Sequence, residues 1–209
     1  MQMHKILSTQ EMRQAEQDAV LRGVSLLQLM ENAGVGAAKA LLAVHPQAAH
    51  GLMICGKGNN GGDALVMARV LAQSGVQSDI LFVMGENVSA LSQINKDRLP
   101  ENTQIYHDCL LSDSTNWCQY DFVVDAVFGT GFSGSLPLPI TQIFQKINEL
   151  PIKRCALDIA SGIDCDTGEV AENTFVAHHT FAFGALKPAH IMDKTQAYCG
   201  QVTLIDIGI

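Results

Sequence analysis

Basic residues are the first shortage in this sequence. Its 209 residues hold 13 Lys and Arg against 21 Asp and Glu, a formal net charge of −8. A protein that grips nucleic acid by neutralising phosphates runs to the opposite sign, which excludes that class. An anionic small molecule can still be held, by backbone N–H groups and helix N-termini. Long apolar runs are missing too. The longest uncharged stretch, residues 126–145, is interrupted by Gly129, Gly131, Gly134, Pro137 and Pro139, so no membrane span is expected. Nor is there the apolar h-region of a secretory leader near the start, and a cytoplasmic location is expected. Only 16% of the residues are charged while 47% are hydrophobic, which excludes disorder and allows a sizeable core. The six cysteines, Cys55, Cys109, Cys118, Cys155, Cys165 and Cys199, show neither C-x-x-C nor zinc-type spacing. They read as reduced thiols packed like small hydrophobes. The adjacent His178 and His179 fall on a strand pattern, which points them to opposite faces and away from a shared metal.

What is present is an alternation of short apolar runs and helical patterns. Ser8-x-x-Glu11 reads as a capping box for a first helix that Gly23 ends, and Ser25-x-x-Gln28 as a second box for a helix reaching about Val44. The second helix is apolar over more than one stripe, which core packing explains and which a partner subunit would also explain. Beyond Gly51, strands are expected at residues 52–55, 80–84, 103–106, 122–125, 155–158, 179–183 and 202–205. Helices are expected at 62–74, 89–99 and 140–150. Strands alternating with helices imply an α/β sandwich around a mostly parallel sheet, in one domain covering residues 1–209.

Three polar clusters follow three of these strands: Gly56 to Asp63 after the first, Asp125 and then Gly129 to Gly134 after the fourth, and Asp158 to Asp164 after the fifth. In a parallel sheet all three share the carboxyl edge, where open α/β folds bind ligands. The first cluster fits G-x-G-x-x-G between strand and helix, although a plain tight turn gives the same pattern. Candidates for its acidic ribose partner are Asp79, placed just before a strand, and Glu86 after it. Lys57 is followed by Gly58, so no Walker A loop is present. Asn60, Asp125 and Ser161 add an amide oxygen, a carboxylate and a hydroxyl, hard donors that suit a hard cation and not zinc.

Leu29-Met30-Glu31-Asn32-Ala33-Gly34, Gly58-Asn59-Asn60-Gly61-Gly62-Asp63, Asp125-Ala126-Val127-Phe128-Gly129-Thr130-Gly131 and Asp158-Ile159-Ala160-Ser161-Gly162-Ile163-Asp164 resemble the YjeF N-terminal domain, the NAD(P)H-hydrate epimerase family. Asp166-Thr167-Gly168 and Leu186-Lys187-Pro188 fit the same pattern. The resemblance implies a Rossmann-like three-layer αβα sandwich with N-terminal helices, usually a homodimer, that interconverts the R and S hydrates NADHX and NADPHX. It implies that Asn59, Asn60, Gly61, Gly62 and Asp63 contact the nucleotide. Gly129, Thr130, Gly131, Phe132, Ser133, Gly134 and Ser135 would wrap it, and Asp158 would contact the hydrated nicotinamide. It further implies a potassium ion (K+) held by Asn60, Asp125 and Ser161. Two departures stand out. Ala64 replaces a family glycine, and Ala160 replaces the proline of Asp-Ile-Pro-Ser-Gly, which is expected to leave Ser161 less rigidly presented. Bifunctional relatives append a dehydratase; this chain is expected to epimerise only, beside a separate NAD(P)HX dehydratase.

The chemistry follows from the hydroxyl at C6, next to the ring nitrogen. Protonation by a general acid expels water and leaves a planar iminium carbon that water re-enters from either face. Asp158 is the first choice for the acid–base group and Asp63 the second. Ring opening and reclosure through C6 is an equally open route. The alternative class is a non-catalytic scaffold of the same fold, which would show eroded site motifs, and a dehydrogenase is weaker still.

Overall fold

A computed structural model describes residues 5–85, 87–107 and 116–209. Two helices open the chain, α1 (Thr9–Leu21) and α2 (Leu26–Val44). Then β1 (His50–Cys55), α3 (Asn59–Gln73), β2 (Gln77–Phe82), α4 (Ala90–Lys96) and β3 (Ile105–His107) run outward from the sheet centre. The chain returns to the other side of β1 as β4 (Phe122–Ala126). It continues through α5 (Leu138–Glu149), β5 (Lys153–Leu157), β6 (His179–Phe183), α6 (Asp193–Cys199) and β7 (Gln201–Ile205). The strand order is β3-β2-β1-β4-β5-β6-β7, and every pairing is parallel. Strands buried on both faces carry near-continuous apolar runs, as β1 and β4 do. Helices α2 and α3 cover one face, over Met53, Phe122, Val124 and Phe181. On the other face α5 inserts Ile140, Ile143, Phe144 and Ile147, each stabilising by about 1.5–3 kcal/mol on burial. Among the described residues no helix is long and apolar enough to cross a membrane.

Local chemistry accounts for the boundaries. Ser8 and Glu11 form both halves of the first capping box, Ser8 N donating to Glu11 Oε2 at 2.8 Å and Glu11 N to Ser8 Oγ at 3.3 Å. The second box is only half made. Gln28 N donates to Ser25 Oγ, but the Gln28 side chain turns along the helix to Asn32. Helix α3 starts at Asn59, three residues before the expected start, because Gly58 serves as its N-cap. Strand β2 starts at Gln77, so Asp79 lies inside the strand and not ahead of it. There it is 2% exposed and pairs with His50 Nε2 at 3.2 Å and the Tyr120 hydroxyl at 3.0 Å. That commits its carboxylate to the fold and removes it as a ribose partner; the other candidate, Glu86, lies outside the described residues. Strand β5 stops at Leu157, and Asp158 leaves it with a left-handed backbone, φ 64°. Helix α6, a seven-residue piece ended by Gly200, is an element that the apolar periodicity does not announce.

Candidate functional site

The chain reverses its direction of travel across the sheet between β1 and β4, and the crevice of an open α/β sheet lies at such a point. The helix N-terminus beyond β1 is wedged there. Asn60, in the first turn of α3, donates from Nδ2 to the carbonyls of Phe128 (3.0 Å) and Leu157 (3.2 Å). One side chain thus ties α3 to the ends of β4 and β5. Asp125, at the end of β4, accepts from Ser161 N (2.7 Å), Ser161 Oγ (2.7 Å) and Val127 N (3.1 Å). Ser161 is therefore held twice by one carboxylate, which supplies the rigidity that Ala160 in place of proline was expected to remove. Burial pushes the Asp125 carboxyl up to about 6, against those hydrogen bonds.

Asn60 Oδ1 is buried with no hydrogen-bond partner. It belongs to a side chain that shares the Phe128 carbonyl with Ser161 Oγ. An orphaned amide oxygen, a hydroxyl that shares that side chain's carbonyl partner, and the buried carboxylate bonded to that hydroxyl match the oxygen-only donor set of a hard monovalent or divalent cation. No group of three or more His, Cys, Asp or Glu is placed to hold a metal among the described residues, so a zinc-type centre does not fit.

Above this floor opens a cavity of about 440 Å³, in the range of small-molecule sites. Asn59, Asn60, Asp63, Gly129, Thr130, Gly131, Phe132 and Asp158 all line it. Gly61, Gly62, Ser133, Gly134 and Ser135 are not among its lining residues, and Asp125 and Ser161 are fully buried below. The second loop lies close over Asp158: a side chain at Gly129 would meet Asp158 Oδ2 at 3.2 Å. Helix α2 is pressed equally close, since a methyl at Gly34 would strike Val66 and the Asp63 carbonyl.

The carboxyls of the cavity have different surroundings. Asp158 forms an ion pair with Lys187, whose side chain is 0% exposed and whose Nζ also donates to the Phe183 carbonyl at 2.8 Å. His190, which accepts at Nδ1 from Lys187 N at 3.0 Å, is held at about 4 by burial and by the neighbouring ammonium. Among the described residues, Asp63 has no hydrogen-bond or ion-pair partner for its carboxyl. Burial first, then the charges of Asp158 and Glu16, hold it well above the usual carboxylate range. An ion-paired carboxylate is in the form that accepts a proton, and a carboxyl held above its usual range more readily keeps one to donate.

A family model described as the YjeF-related protein N-terminus matches residues 26–189. The chain belongs to this family. Two full-length relatives, both named NAD(P)H-hydrate epimerase, come from Weissella koreensis (32% identical, covering 99% of this chain and 93% of that protein) and Pirellula staleyi (31%, 100% and 95%). The bifunctional NAD(P)H-hydrate repair enzyme Nnr of Coxiella burnetii is 33% identical over 99% of this chain, which spans 42% of it. The crystal structure of yeast ynu0, YNL200c, superposes with a TM-score of 0.79 over 96% of this chain and 87% of that one. At 24% identity, that likeness speaks for the fold.

Three charged residues that line or brace this YjeF N-terminal cavity are not assigned a site role by the motifs: Arg13, Glu16 and Lys187. Lys187 sat inside a noted motif, Leu186-Lys187-Pro188, but nothing in spacing says that a lysine is buried. Arg13 and Glu16 stand on α1, ahead of the residues matched by the family model. Glu16 did leave a signal. It shares a helix face with Met12 and Ala19, both buried, and a lone carboxyl on an apolar stripe is out of place unless it is used.

Proposed function

We propose that this chain epimerises the R and S hydrates of NADH and NADPH. The observation that carries the reading is one cavity, at the carboxyl edge of the sheet, lined by a lysine-paired carboxylate (Asp158) and by a second carboxyl (Asp63) that has no partner among the described residues and is held above the usual carboxylate range by burial. The names of the two full-length relatives support it. In this reading Asp63 protonates the C6 hydroxyl and water leaves as the nitrogen lone pair closes the iminium bond. Water then returns to either face, surrendering its extra proton to the Asp158 carboxylate. The apolar lining from Met30, Phe128 and Phe132 limits bulk water at the planar intermediate. The sequence order of preference, Asp158 before Asp63 as acid, is thus divided into two roles. Purified protein should equilibrate separately prepared R and S hydrates far faster than buffer, without ATP and without net redox change. Chromatography of the epimers checks this, and equal rates with and without protein would leave the scaffold reading standing.

A potassium ion is part of the proposal, with Asn60, Asp125 and Ser161 as its ligands; bound there, it supplies positive charge beneath the cavity and neutralises Asp125. The orphaned Asn60 Oδ1 and the buried Asp125 carboxylate support that assignment. Potassium that binds only the native state stabilises it by about 2.7 kcal/mol at a hundredfold excess over Kd. Replacing potassium by tetramethylammonium at constant ionic strength should therefore lower the melting temperature of the wild type and leave Asp125→Ala almost unmoved. An equal response in both proteins would remove Asp125 from the ion site. A homodimer is also proposed, supported by Leu21, Leu26 and Val20 standing exposed together at the α1–α2 corner. A separate dehydratase partner is supported by the Nnr relatives, of whose length this chain spans about two fifths.

A further inference from the structure

Helix α1 brings to the cavity a carboxyl that has no role in the reaction as described above. Its inner face is Met12, Glu16 and Ala19, three residues at the i, i+4, i+7 spacing of one helix stripe. Met12 is 3% exposed and Ala19 is 0% exposed. The stripe packs inward, so Glu16 is carried inward with it and lines the cavity together with Asp63 and Asp158. Among the described residues no hydrogen bond or ion pair is made to its carboxyl. Arg13, one turn earlier on the same helix, also lines the cavity but does not bridge to it. A half-buried carboxyl with no protein partner costs the fold stability and returns nothing to it unless something else meets it.

The helix is held where it stands. Thr9 Oγ1 donates to the carbonyl of Thr130, in the second cavity loop, at 3.2 Å, and Thr9 N donates to Asp166 Oδ1 at 2.8 Å. Just ahead of the helix, Leu7 N donates to the Leu186 carbonyl at 2.8 Å, next to Lys187. Glu16 is thus built on a helix whose N-terminus is fastened to the same loops that surround Asp158. That is the support a reacting group requires.

We infer that Glu16 is a third proton-exchanging carboxyl of the cavity, serving the C6 hydroxyl from the α1 wall. The inference rests on the epimerase reading. Epimerisation needs water to depart from one face of a ring and return to the other, and Asp63 and Glu16 reach the cavity from different helices. With Glu16 as donor, its carboxyl proton passes to the hydroxyl oxygen and the C6–O bond breaks, its electron pair leaving on water. The nitrogen lone pair becomes the second bond of the iminium. On return, a water oxygen bonds to C6, the iminium pair goes back to nitrogen, and the surplus proton of that water restores a carboxyl. One water is lost and regained and nothing is oxidised. Burial and the Asp158 charge raise the Glu16 carboxyl above its ordinary value, the direction a proton donor needs.

The test compares Glu16→Gln and Glu16→Asp with the wild type, in both directions, on separately purified epimers. Glu16→Gln should lower kcat by about 10²-fold or more and leave KM within about threefold. The equilibrium between epimers is not the protein's to change, so kcat/KM must fall by the same factor in each direction. Glu16→Asp, which keeps a carboxyl one methylene shorter, should recover at least about a tenth of wild-type kcat. Glu16→Gln takes a partner from no other protein group and removes a half-buried ionisable one, so its melting temperature should match or exceed that of the wild type. A kcat for Glu16→Gln within about threefold of wild type overturns the inference. So does a loss confined to KM, an equal loss in Glu16→Asp, or a lowered melting temperature, which would assign the carboxyl to the fold. An inactive wild type removes the epimerase reading and this inference with it; an active wild type with an indifferent Glu16→Gln removes the inference alone.

Discussion

Asp158→Asn should lower epimerase turnover by about 10²- to 10⁴-fold, the usual worth of a general acid–base group, while nucleotide affinity stays near that of wild type. The substitution is chosen for its backbone. Asp158 sits at φ 64°, a left-handed conformation that Asn adopts as readily as Asp and that most other side chains resist. It is the kind of backbone outlier that a fold keeps at working sites. Asn also retains an oxygen for Phe183 N and for Lys187 Nζ, which both donate to Asp158 Oδ1. What it loses is the negative charge and the ability to take a proton from returning water. Single-turnover rates and equilibrium binding of the reduced nucleotide separate the two effects. Near-normal turnover in a folded Asp158→Asn protein would end the assignment. Asp63→Asn then decides the division of roles: as proton donor its loss should slow turnover as well, whereas weakened binding at full turnover would reduce Asp63 to a ribose or loop contact.

Much of this site could be read before the fold was seen, and for a physical reason. Parallel strands buried on both faces advertise themselves as apolar runs, and each of the three ended in a polar, glycine-rich cluster. Once the strands are parallel, their carboxyl ends have no choice but to meet. Asn60 and Ser161 thereby meet at one carbonyl, and Asp125 binds Ser161, although the three are distant in sequence. Boundaries were less legible, because cap and strand start are decided by tertiary partners. Gly58 caps α3 without any side-chain signal. Asp79 enters β2 because His50 and Tyr120 wait for it across the sheet. Roles were least legible of all. Whether a carboxyl is an acid or a base depends on what stands beside it, and Lys187 reaches Asp158 from 29 residues further on. Nothing in the local spacing of either residue announces the other.

Lys187→Met should be the most destabilising single change in the site. The lysine is 0% exposed, and among the described residues its ammonium is satisfied by the Asp158 carboxylate and the Phe183 carbonyl alone. Removing it leaves a carboxylate without its counter-ion, near Asp63 and Glu16, whose own carboxyls already feel the Asp158 charge. Breaking a buried pair from one side costs about 3–5 kcal/mol. For a domain of this size that is about 6–20 °C of melting temperature. The double variant Lys187→Met, Asp158→Asn should recover part of the loss, since no unpaired charge remains. The amount by which the double variant's loss falls short of the two single losses added together is the coupling energy of the pair, expected at about 1–3 kcal/mol. Urea unfolding of the wild type, both single variants and the double variant closes the cycle. Additive single and double effects would mean that Lys187 fills space without holding a charge. The coupling matters to function as much as to folding. A carboxylate kept in place by a buried ammonium can accept a proton without moving, whereas Asp63, with no such partner, is free to give one away.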